Sequence, residues 1–173
     1  MIAALLTASR LCAAVASLYG SGVTARDIDR TVPIERACRA SVIIVLVADE
    51  WRPELVASIA VRESSMLPAL INPTTGACGP GQVLYSHDKA RQDRRCRRVL
   101  ADEWTGYRAA VAKLRDARAY CRRPGELCAL SGYVSGPSGV RRRWFRTPRS
   151  IQRRADRLRA LMGPPARTVH AGA

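Results

Sequence analysis

Apolar residues return at helical intervals along most of this chain, and that periodicity limits its fold more than any single motif does. From Glu35 to Trp51, the residues Ala37, Ser41, Ile44, Val45 and Ala48 fall on one helical face and predict a first core helix. The β-branched run Val42 to Val47 also suits a strand, but Pro53 decides for helix. It stands where a new helix would begin, and its fixed φ and missing N–H cost nothing at a first helical position. The second helix is predicted over 53–65, with Leu55, Val56, Ile59 and Ala60 on one side. Helical spacing returns over 88–100, 103–120 and 126–134, where Gly132, Gly136, Pro137 and Gly139 are expected to stop it. Residues 72–81, reading NPTTGACGPG, carry turn-forming types throughout and predict a loop. With a single Phe, the apolar content rests on Ala, Leu, Val and Ile, which favours packed helices over a β-sandwich. The expected fold class is all-α.

A chain of 173 residues suits one domain with a real core. The expected division is an N-terminal apolar helix or export element over 1–34, a helical domain over 35–145, and a basic, partly disordered tail over 146–173. Met1 to Leu18 is apolar and Ala-rich, and Ala14-Val15-Ala16 has the small residues of an export cleavage site. Against that, no basic cluster follows Met1, Arg10 interrupts the run, and cleavage would discard Cys12. A signal peptide and a retained helix both stand. The tail is read from its Arg repeats, with Trp144 and Phe145 among them.

Lys and Arg (29) exceed Asp and Glu (14), a net charge of +15, so an anionic partner is expected: nucleic acid, an acidic membrane surface or bacterial envelope polymer. Lys occurs only at Lys89 and Lys113. The Arg excess fits either a need for bidentate anion contacts or a coding bias, and the bias is the simpler account. Six cysteines, with no CxxC pair and only His87 and His170 as histidines, argue against zinc and for disulfides or buried thiols. Cys121 and Cys128 bracket a turn-rich segment and are the easiest local pair. Cys78 with Cys96 is a second choice, leaving Cys12 with Cys38, although spacing alone does not fix the partners.

Glu63 falls on the apolar side of the second helix, four residues after Ile59 and seven after Val56. Burial there would raise a carboxyl pKa, as a general acid working near neutral pH requires. The ordinary alternative is a helix-ending Glu turned to solvent or paired with Arg62.

Three segments in order resemble the soluble-type lytic transglycosylases, a family with the goose-lysozyme-like fold. RPELVASIAVRESS (52–65) is similar to that family's proline-led helix running into Glu-Ser. TGACGPGQV (75–83) is similar to its Gly-Ala-x-Gly-x-x-Gln segment, and ALSGYVSGPSG (129–139) to its Ala-x-x-Tyr-Asn-Ala-Gly-Pro. The resemblance covers about 37–145 and implies a lysozyme-like helical domain with a glycine-rich loop beside the cleft. It implies Glu63 as catalytic acid and base, Ser64 as a holder of the substrate N-acetyl group, Gln82 in the sugar cleft, and Tyr133 reaching toward the carboxylate. The implied reaction is cleavage of the β-1,4 bond between N-acetylmuramic acid and N-acetylglucosamine, with no metal or cofactor. The chain departs from the pattern at Val134, where Asn is usual, and at Met66, where an aromatic is common. Gln82 and Tyr133 also read as a loop amide satisfying backbone groups and a core tyrosine meeting a carbonyl.

The expected partners are peptidoglycan glycan strands and anionic envelope polymers, engaged by a monomer that is exported to the periplasm or beyond the cell, or is carried on a phage virion. A nucleic-acid binder using the Arg-rich tail leaves the three segments unexplained and ranks lower. A catalytically weak wall-binding domain is the remaining alternative.

Overall fold

The computed structural model describes residues 1–19, 32–122, 125–141 and 146–164. They form seven helices: α1 (Ile2–Tyr19), α2 (Ile34–Val47), α3 (Pro53–Ser64), α4 (Lys89–Val99), α5 (Glu103–Arg118), α6 (Glu126–Arg141) and α7 (Arg146–Met162). The only β-type pairing among the described residues is a set of isolated bridges joining Cys78 to Ile71 and Val83. The all-α expectation holds, and the predicted helix starts at 53 and 103 are the observed ones.

Helix α3 is the centre of the molecule. Its residues from Glu54 through Val61 are all buried, a pattern expected of a helix enclosed on every side. It packs on α7, α2 and α1, while α5 and α6 form a second layer linked through α2 and α7. Pro53 occupies the first turn as predicted. The preceding Arg52 donates through Nε and Nη2 to Glu126 at 2.7 Å and through Nη1 to Asp156 at 3.0 Å, pinning the entry of α3 to α6 and α7. Asp88 and Asp102 cap α4 and α5 by accepting from Arg91 N and Thr105 N, both at 2.7 Å. Each cap satisfies a backbone N–H that the first helical turn leaves without an intrahelical partner.

The domain bounds expected at the chain's two ends are revised. Arg146–Met162 is a helix and not a loose tail: Ile151, Ala155 and Leu158 fall at i, i+4 and i+7 and are completely buried against the core. The Arg-rich composition concealed that stripe. The N-terminal apolar helix is present as α1, but it belongs to the same core as the rest: Leu11 and Val15 are fully buried and the helix packs on α2 and α7. The core therefore draws on both segments placed outside the 35–145 domain. The proposed disorder beyond residue 164, and Trp144 with Phe145, lie outside the described residues.

The expected stop of α6 also shifts. Gly136, at φ 64° and ψ −166°, breaks the helix, but helical turns resume and continue to Arg141. Gly132 sits inside the helix because α5 passes so close that a Cβ there would lie 2.9 Å from the Ala117 carbonyl oxygen.

All six cysteines are paired: Cys12 with Cys38, Cys78 with Cys96, and Cys121 with Cys128. These bridges join α1 to α2, the glycine-rich loop to α4, and the end of α5 to the start of α6.

Candidate active site

The last turn of α3 delivers Glu63 and Ser64 to a loop that runs from Leu67 to Asp88. Ser65 and Met66 follow in the left-handed conformation, at φ 54° and 60°, turning the chain sharply away from the helix axis. Asn72 starts the loop by accepting from Thr74 N and Thr75 N through Oδ1, at 2.9 and 3.0 Å. Cys78 and Val83 exchange backbone hydrogen bonds at 3.2 and 2.9 Å, closing the GPGQ turn. Gln92 of α4, buried, clamps the turn from behind. Its Nε2 donates to Gly76 O at 2.9 Å and Val83 O at 3.2 Å, and its Oε1 accepts from Tyr85 N at 2.7 Å. The helical context of Gln92 gave no sign of this role in the sequence.

Two side chains tie that turn to the helices. Ser64 Oγ lies 2.8 Å from Pro80 O and 3.0 Å from Ala60 O, so its single hydroxyl proton is shared between its own helix and the loop. Tyr133 of α6 donates its hydroxyl to Gly81 O. Gly81 admits no side chain, because a Cβ would lie 2.4 Å from Tyr133 Oη and 2.5 Å from the Ala110 Cβ. Segments 52–65, 75–83 and 129–139 thus meet at one place.

Glu63 stands at the edge of this junction. Its side chain is 26% exposed, so the carboxylate is only half-buried, short of the full burial that its place on the apolar face suggested. Arg62 Nε lies 3.4 Å from Glu63 Oε1, as the ordinary reading foresaw. The carboxylate also acts on two groups across the junction. Burial pushes the Lys113 ammonium of α5 below its ordinary pKa, and the negative field of Glu63 opposes that shift. Burial raises the Tyr133 phenol well above its ordinary value, and Glu63 and Tyr85 raise it further. Lys113 Nζ lies 4.6 Å from the centre of the Tyr133 ring, within cation–π range. The arrangement is a partly exposed carboxylate with a partly desolvated ammonium and a neutral phenol across from it.

Ser64 and Tyr133 lie beside Glu63 as expected, but both hydroxyls are held by backbone carbonyls. Gln82 is nearly buried, and its Nε2 donates to Leu70 O and Gly79 O, each at 3.1 Å. It shapes the loop from inside, the more ordinary of its two sequence readings. Lys113 was missed as a site residue, although a signal existed: it is one of two lysines in a chain that otherwise writes Arg.

No second carboxylate accompanies Glu63 from α3 or its approach. Asp49 and Glu50 bind Arg115 and Arg118 on the surface. Glu54 lies nine residues back along the same helix, roughly 13 Å at 1.5 Å per residue. That exceeds the roughly 5–9.5 Å separation of paired glycosidase carboxylates. No family model, no curated protein and no solved structure matches this chain.

Proposed function

We propose that this protein cleaves peptidoglycan glycan strands as a lytic transglycosylase, with Glu63 as both acid and base. The observation that carries the reading is the meeting of three segments, far apart in sequence, around one accessible carboxylate. In this reaction the Glu63 carboxyl protonates the oxygen leaving from the β-1,4 bond. The N-acetyl group of the muramic acid stabilises the cationic centre. The Glu63 carboxylate then takes the proton from the 6-hydroxyl, whose oxygen closes the 1,6-anhydro ring. One carboxylate suffices because the nucleophile belongs to the substrate, which suits a site where Asp49, Glu50 and Glu54 are otherwise placed.

Ser64, Gln82 and Tyr133 are positioning residues in this scheme. Ser64 and Tyr133 hold the GPGQ turn against α3 and α6 next to Glu63, and Gln82 braces the turn from within the loop. Lys113 supplies positive potential near the carboxylate. The net charge of +15 draws the protein to anionic wall polymers. Three disulfides and an apolar N-terminal helix are compatible with export, and the reading places the protein outside the cytoplasm.

The test is mass spectrometry of fragments released from purified peptidoglycan by the wild-type protein and by Glu63→Gln. Fragments ending in 1,6-anhydro-muramic acid are expected, with a loss in the variant of about 10²-fold or more. The variant's circular dichroism should be unchanged. Retained cleavage by Glu63→Gln would sink the assignment, and reducing-end sugars would make the protein a water-using lysozyme. A second reading, a wall-binding domain with little turnover, is favoured by the Gln82 amide being engaged by the loop and by Val134. It predicts glycan binding without fragments.

A further inference from the structure

We propose that the exposed face of α4 is a docking surface for a linear envelope polymer of phosphodiester-linked polyols. Lys89, Arg91, Arg94, Arg95, Arg97 and Arg98 are all exposed on this helix of 11 residues. Arg91, Arg94, Arg95 and Arg98 stand at i, i+3, i+4 and i+7, a continuous stripe roughly 10 Å long at 1.5 Å per residue. The opposite face, with Gln92, Cys96 and Val99, is buried, and the Cys78–Cys96 bridge fixes it to the glycine-rich loop. The stripe therefore points outward from a fixed support.

Helix energetics do not account for these cations. Arg97 and Arg98 meet the negative end of the helix dipole, but Lys89 and Arg91 lie in the first turn, at the positive end, where a cation is unfavourable. Like charges three and four residues apart also repel. Among the described residues none of the six takes part in an ion pair, whereas Arg39 of α2 and Arg118 of α5 reach Glu103 and Glu50 at 2.8 and 2.6 Å. Asp88 is taken up as the helix cap, and Asp93 is the only acid within α4. A chain of anions laid along the stripe relieves this repulsion, and the planar guanidinium fork suits phosphate. The neighbouring aromatic, Tyr85, is covered by Arg95, whose guanidinium carbon lies 6.0 Å from the ring centre. The face thus engages phosphates rather than stacking bases. The choice of an envelope polymer as their source rests on the proposed function, which places the protein outside the cytoplasm.

The test is calorimetric titration of the full chain with lipid-free poly(glycerol phosphate) at constant ionic strength. The triple variant Arg91→Gln/Arg94→Gln/Arg98→Gln removes three charges of the stripe. Arg149→Gln/Arg157→Gln/Arg159→Gln removes the same charge from exposed positions of α7. The α4 variant should bind about tenfold or more weakly, with a shallower dependence on salt, and the α7 variant less than about threefold more weakly. Equal losses in the two variants, or no binding by the wild type, would overturn the surface. An oligo(deoxythymidine) with the same number of phosphates should bind no more than about tenfold tighter than the polyol phosphate, because phosphates alone are engaged. Tighter binding than that, lost in the α4 variant, would assign the surface to nucleic acid and overturn the envelope polymer. Glu63→Gln should bind the polymer as the wild type does, so the titration is blind to the reaction. Absence of 1,6-anhydro fragments then counts against the cleavage, and absence of a selective α4 effect against the docking surface.

Discussion

At Gly81 the loop meets α5 and α6, and its missing side chain lets Tyr133 reach the backbone. Gly81→Ala should therefore push Tyr133 and Ala110 apart and cost about 1–3 kcal/mol, read as a lower denaturation midpoint in urea. A midpoint equal to that of the wild type would mean that the contact relaxes freely. Glu63 was legible in the sequence because a carboxylate at i+4 from Ile59 stands out on an apolar face. Its exposure was not, since the left-handed turn at Ser65 and Met66 that follows it involves residues of no special turn type. Lys113 was legible only as an oddity of composition. Its meaning needed the neighbours Glu63 and Tyr133, which come from other helices.

At the scale of elements, helices whose polar faces are mixed announced themselves, and α7 did not. Its apolar stripe is three residues wide in a segment dominated by arginine, so composition outweighed period. Leu158→Ala, which empties a fully buried position, should cost about 2–5 kcal/mol in chemical denaturation. Ending the chain after residue 145 removes Ile151, Ala155 and Leu158 together, and should abolish cooperative unfolding instead of trimming an accessory arm. The glycines of α6 show why a local rule can misplace an end. Gly132 answers to the approach of α5, whereas Gly136 takes up the left-handed φ that breaks the helix.

Across the whole molecule, the three bridges stabilise by restricting the unfolded chain, and they close spans of 26, 18 and 7 residues. Reduction should lower the melting temperature, each bridge contributing about 2–4 kcal/mol in the usual case, with the Cys12–Cys38 span the largest entropic share. Calorimetry with and without a strong reductant checks this, and an unchanged melting temperature would refute it. The pairs also follow one another along the chain without crossing: each span ends before the next one starts. A polypeptide emerging N-terminus first therefore presents each second cysteine when the only unused thiol already out is its correct partner. Joining neighbours in order of appearance yields the native set, so oxidation during emergence needs no later reshuffling by an isomerase.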